Sequence, residues 1–152
     1  MVKAYTETLV KSLLKVEQVI TDDDGDIPIR YKSALYYIRV VDADPDEPIV
    51  QIFAVAVADI KESDELLKAL NDINARLHFA RAFLVREQVL IEVEIPGAAL
   101  SMGAFSTSCD AVARAADHFG VELAKRFGGR TAFEDSKDDS YRSPGASTAG
   151  YL

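Results

Sequence analysis

The chain has 152 residues, 49% of them hydrophobic and 9% aromatic, which is enough apolar material for one well-packed domain and too much for a disordered chain. Seventeen Lys and Arg against 25 Asp and Glu leave a formal charge of −8, which argues against nucleic acid and anionic lipid as partners, since both are bound by positive patches that release counterions. A single cysteine, Cys109, excludes an internal disulfide and any multi-cysteine zinc site.

Met1 to Leu14 carries Lys3, Glu7 and Lys11 at helical spacing, unlike the unbroken apolar stretch of a signal peptide. No apolar run approaches the ~20 residues that a membrane-spanning helix needs. The expectation is a reduced, soluble, cytoplasmic protein with no membrane partner.

Val2, Tyr5, Leu9, Leu13 and Val16 recur every three or four residues, opposite Lys3, Glu7, Lys11 and Lys15. That spacing predicts an amphipathic helix over about 2–16. Glu17 to Thr21 is β-prone and predicts a strand, closed by the acidic turn Asp22–Asp23–Asp24–Gly25–Asp26 with Gly25 at a positive φ. Pro28 falls near the start of the returning strand, where a missing N–H is tolerable.

Residues 33–41 and 49–58 predict two long strands, separated by an acidic loop with Pro45 and Pro48. In the second strand Val50, Ile52, Ala54, Ala56 and Ala58 share one face, and Gln51, Phe53, Val55 and Val57 the other. Both faces are mostly apolar, so both are expected to be covered, the alanine-rich one by a close helix.

Ser63 is placed to cap a helix over about 64–77, with Asp64 and Glu65 in its first turn and Leu66, Leu70 and Ile73 on its buried side. Residues 81–87 and 88–95 predict two strands, the second turning Val89, Ile91, Val93 and Ile95 inward and Glu92 and Glu94 to solvent. Met102, Phe105, Cys109, Val112, Ala116, Phe119 and Leu123 then mark a helix over about 101–127, stopped by Gly128–Gly129. The sequence thus reads as one domain, 1–129, followed by a polar, flexible tail, 130–152, whose only anchors are Phe133, Tyr141 and Tyr151–Leu152.

Candidate chemistry is sparse. With Gly25 set at the sixth place of a calcium loop, Ile20 and Tyr31 fall where the first ligand and the bidentate acid belong. The acidic turn is therefore read as a solvated hairpin tip. His78 and His118 have no metal-ligand spacing around them, and Cys109 lies on an apolar stripe. No phosphate-loop, nucleophile-elbow or zinc-protease motif occurs. No catalytic residue, metal or cofactor is assigned.

The order α-β-β-β-α-β-β-α, together with several local phrases, resembles the YbjN-like domain family, which shares its fold with type III secretion chaperones. The phrases are Asp22, Gly25–Asp26–Ile27, Tyr36–Val41, Val50–Ala54, Leu66–Asn74, Phe79–Leu84 and Ala124–Gly128. The resemblance covers about residues 3–129. It implies an α+β domain with helices packed on an antiparallel sheet, homodimeric, that binds a protein or peptide client without catalysis. By the same resemblance, Asn71 and Asn74 hydrogen-bond backbone where a helix gives way to a strand. From strand parity, Tyr37, Phe53, Val55 and Val57 are the expected partner-binding or dimer face. The alternative is a regulatory or scaffold domain with one fixed partner; an enzyme ranks a distant third.

Overall fold

The structure is a computed structural model that describes residues 1–134 and 136–144. Its elements run α1 (Val2–Leu14), β1 (Ile27–Tyr31), β2 (Ala34–Val41), β3 (Ile49–Ala58), α2 (Asp64–Arg76), β4 (Arg81–Val85), β5 (Gln88–Pro96), a 3-10 turn (Gly97–Ala99) and α3 (Met102–Phe127). The strands form one antiparallel sheet in the order β1-β2-β3-β5-β4. This is the predicted α-β-β-β-α-β-β-α arrangement.

Helix ends follow the expected chemistry. The Ser63 hydroxyl accepts from the Leu66 N–H and the Ser101 hydroxyl from the Ala104 N–H, each at 3.1 Å, satisfying amides that a helix start leaves unpaired. Gly128, at φ 79°, terminates α3.

α3 packs across the sheet on the face carrying Ile29, Tyr36, Ile38, Ile52, Ala54 and Ile91, all essentially buried. It comes close to the sheet at Gly120, where a Cβ would lie 2.4 Å from the Ala56 carbonyl oxygen. No side chain fits between helix and strand there, which explains small residues on both sides. At the same place β3 carries a bulge: Val55 pairs with Leu90 and Val57 with Val89, leaving Ala56 as the extra residue. The bulge reverses the strand's alternation, so Val57 turns into the core and Ala58 out of it.

Three expectations are corrected. Glu17 to Thr21 forms no strand. α1 ends on a left-handed Lys15 (φ 56°), and the segment beyond it has no strand to pair with. The acidic turn is consequently not a hairpin tip but a loop tied on itself, the Asp22 carboxylate accepting from the N–H groups of Asp24 and Asp26 at 3.0 and 2.9 Å.

The first hairpin instead turns at Lys32–Ser33. Asp117 of α3 holds it in place, its carboxylate accepting from the Ser33 N–H at 3.1 Å and hydroxyl at 2.5 Å. Finally, Glu92 is not solvated. It is buried at 6% exposure, with its carboxylate receiving two N–H donors of Arg81 at 2.7 and 3.0 Å. A buried carboxylate is retained only where a charge-assisted partner of this kind is in place.

Candidate binding surface

The helices take one face of the sheet; the other carries a cross-strand patch. One row across four strand pairings reads Pro28, Tyr37, Phe53, Glu92 and Arg81. On one flank of it Arg30 and Leu35 continue into Val55, Leu90 and Phe83, and on the other flank Arg39, Gln51 and Glu94 line up. Tyr37 and Phe53 stack with ring centroids 5.3 Å apart, 19° from parallel. The Arg39 guanidinium lies 4.8 Å from the Phe53 ring and the Arg81 guanidinium 5.3 Å from that of Phe83.

Each arginine is also clamped by an acid: Arg39 by Asp26 at 2.5 and 2.8 Å, and Arg81 by Glu92. The result is a half-exposed apolar patch under fixed positive groups, an arrangement that keeps such a face soluble. Burial, and then the acids Asp22 and Asp26 nearby, push the Tyr37 phenol above its ordinary ionisation range.

Of the four residues expected to share a face, Tyr37, Phe53 and Val55 do so. Val57 does not: the bulge places it, fully buried, on the helix side.

Each outer edge of the sheet is capped at one residue. At β4 the Asn74 side chain of α2 accepts from the Ala82 N–H and donates to the Ala82 carbonyl, each at 2.8 Å, reproducing the donor–acceptor pair of a neighbouring strand. This is the backbone role that the resemblance implied for Asn74; no such bond involves Asn71 among the described residues.

At β1 the closure comes from beyond α3. Arg130 first pairs with Ala58 through two 2.9 Å backbone bonds. Phe133 is then buried with the Arg30 guanidinium 4.0 Å from its ring. After the exposed stretch 137–140, Arg142 pairs with Arg30, the N–H of each donating to the other's carbonyl at 2.8 and 3.1 Å. Tyr141 enters on the helix side, 5.3 Å from the Tyr31 ring and edge-on to Tyr36 at 6.0 Å, with its hydroxyl donating to Asp110 of α3 at 2.8 Å. Two of the expected tail anchors, Phe133 and Tyr141, thus contact the domain, and Tyr151–Leu152 lies outside the described residues.

The remaining candidates offer no reaction centre. Carboxylate oxygens of Asp22, Asp24 and Asp26 come within 4.8 Å of one another, but Asp26 is engaged by Arg39 and Asp22 by its own turn. His78 and His118 line one shallow cleft with Arg76 and Arg114, with His118 exposed beside Phe119 and Glu122. Cys109 is buried, and burial pushes its thiol far above the ordinary range, leaving it without thiolate character. No helix among the described residues is long and apolar enough to cross a membrane.

Comparison with known proteins places these surfaces in context. A crystal structure of the ExsC–ExsE complex contains a chain superposing with a TM-score of 0.61 at 12% identity, covering 79% of this chain and 94% of that one; this establishes the fold. No curated protein matches. A family profile described as "T3SS (YopN, CesT) and YbjN peptide-binding chaperone 1" matches residues 1–135, so the chain belongs to that family of peptide-binding chaperones, as its soft apolar phrases and element order implied.

Proposed function

We propose that this peptide-binding chaperone works in the cytoplasm as a homodimer, without catalysis, and that the Tyr37–Phe53–Val55 face is where two copies meet. The observation that carries the reading is the half-exposed patch itself. A sheet face with stacked aromatics, Leu90 and Phe83 on one side and helices only on the other leaves apolar surface that a second chain would cover. The patch carries both charge signs around its apolar centre, through Arg39 and Arg81 and through Glu92 and Glu94. A patch that meets its own copy across a two-fold axis needs this self-complementarity.

A single buried thiol that takes part in no disulfide suits a reducing compartment. Family membership and the absence of a convergent set of reactive groups among the described residues support holding rather than turnover.

Sedimentation velocity on the wild type and on Phe53→Asp tests the face, with client-peptide capture measured on the same samples. The wild type should sediment as a dimer. The variant should be a folded monomer, since its new carboxylate sits against Glu92. If assembly and capture are both unchanged, the face is wrong. If the wild type is monomeric and only capture is lost, the face belongs to the client instead.

A further inference from the structure

The closure of the β1 edge has the form of a bound ligand. The segment Ser136–Pro144 lies beyond the residues matched by the family profile, which end at 135. It touches the domain through a few contacts: the Arg30–Arg142 backbone pair, the Tyr141 side chain, and an exposed ion pair of Lys32 with Asp139 at 3.2 Å. Residues 137–140, ahead of the Tyr141–Arg142 contact, are exposed.

The receiving surface is built from strand and helix residues, whereas its occupant carries no strand or α-helix of its own beyond the Arg142 bridge. Tyr31 and Tyr36 are 2% and 0% exposed, and Asp110 is held in α3 by Arg114 at 2.8 Å. The buried Tyr36 hydroxyl, beside the Tyr141 ring, has only the weakly bonding Cys109 thiol near it and no nitrogen or oxygen partner among the described residues. With the Nε of Arg142 in the occupant itself, it is one of two buried polar atoms among the described residues that the docked segment leaves poorly served. A ligand's polar group could serve the Tyr36 hydroxyl better.

The strand edge has a matching limitation. Arg30 directs both backbone groups outward, and by the two-residue alternation Pro28 does too, but Pro28 has no N–H to give. The edge therefore accepts a short extended segment and not a long strand.

We propose that Ser136–Pro144 is a self-held ligand occupying a client site made of the Arg30 edge and the Tyr31–Tyr36–Asp110 pocket, and that an extended peptide bearing a tyrosine displaces it. The site recognises backbone through Arg30 and one aromatic side chain with a terminal donor through Asp110, the pairing of main-chain bonds with a side-chain pocket by which sheet edges read peptides. The inference rests on the peptide-binding reading above and adds where the peptide goes, what it must carry and what guards the place. A segment tethered this way competes at an effective concentration on the order of millimolar, so weak free peptides are excluded until the tail leaves.

The experiment compares the full chain with its Tyr141→Ser/Arg142→Pro variant, and with Arg142→Pro alone in case the double variant folds poorly. The probe is the nonapeptide of residues 136–144, in its natural form and with its tyrosine replaced by alanine, titrated while backbone amide shifts are recorded. The natural peptide should bind the variants at least about tenfold more tightly than the wild type, with shifts at Arg30, Tyr31 and Asp110, and the alanine peptide should not. Equal affinity for wild type and variants, shifts elsewhere, or no saturation at millimolar peptide would overturn the proposal.

A randomised nonapeptide library selected on the same proteins separates this from the broader reading. Peptides captured away from β1, regardless of the tail, would leave the chaperone function standing and remove this site. Capture of no peptide by any form would remove both.

Discussion

The two edges of this sheet face the same hazard and meet it differently. An unpaired strand edge is a template for another chain. At β4 the domain closes it with one of its own side chains, Asn74, carried on α2 beside the buried Leu70 and Ile73. At β1 the closure is a backbone segment from outside the family-matched range, held by one pair of backbone bonds, by the Tyr141 ring with its hydroxyl bond to Asp110, and by the Lys32–Asp139 ion pair. The first is fixed as firmly as the helix that bears it; the second, on the proposal above, is displaceable. An edge that is to be opened is more usefully covered by a tether than by a side chain of the scaffold.

If that contrast is right, breaking the β4 closure should cost the most. Asn74→Leu removes two hydrogen bonds and strands the Ala82 N–H and carbonyl, an expected loss of about 2–3 kcal/mol in denaturant unfolding. A loss under about 0.5 kcal/mol would mean that water serves the edge equally well. Tyr141→Ala should cost less, about 1–2 kcal/mol, because the penalty cannot exceed the free energy of docking the segment. Its diagnostic is local: the Arg30 amide should exchange much faster while the Ala82 amide is unchanged. Parallel acceleration of both would show that the two edges open as one unit.

Much of this fold was legible from spacing. All three helices and the strands 34–41, 49–58 and 88–96 follow from three-four and two-residue periods, because each buries one face against the others. What escaped has physical causes. The hairpins turn on Lys32–Ser33 and on Arg86–Glu87, with φ of 51°, 50° and 60° at Lys32, Arg86 and Glu87. These residues give no turn signal, whereas the glycine-bearing acidic loop gives a strong one and is no hairpin. The bulge at Ala56 coincides with the crossing of Gly120, 64 residues away in sequence, and strand parity alone cannot show it, so parity puts Val57 on the wrong face. The β1 closure was least legible: Phe133 and Tyr141 stood out as anchors, but nothing nearby in sequence announces Arg30 or Asp110 as their partners.

Alkali sharpens the contrast from the other side. Burial first, and then the hydrogen bond to Asp110, push the Tyr141 phenol far above the ordinary tyrosine value of about 10. An undocked Tyr141 ionises near that value and a docked one does not. Docking is therefore fully favoured below about pH 10 and weakens as pH rises from there toward the docked value. The difference in tyrosinate absorbance between wild type and Tyr141→Phe should show a midpoint clearly above 10. A midpoint at 10 would mean that the ring already stands in water.

The smallest effect is expected from Arg142→Pro, and it is the most discriminating. Proline removes the N–H that donates to the Arg30 carbonyl while leaving Tyr141 in its pocket. One backbone bond at a solvent-exposed edge is worth about 0.5–1 kcal/mol, and that carbonyl can turn to water, so global stability should fall by no more than this. The Arg30 N–H, whose bond to the residue 142 carbonyl is retained in principle, should nevertheless lose protection, because a single bond no longer fixes the register. If it stays protected, the tyrosine alone holds the segment, and the site reads a side chain with little help from the strand. If stability falls by several kcal/mol instead, the β1 closure is as integral as the one at β4, and the segment cannot serve as a displaceable occupant.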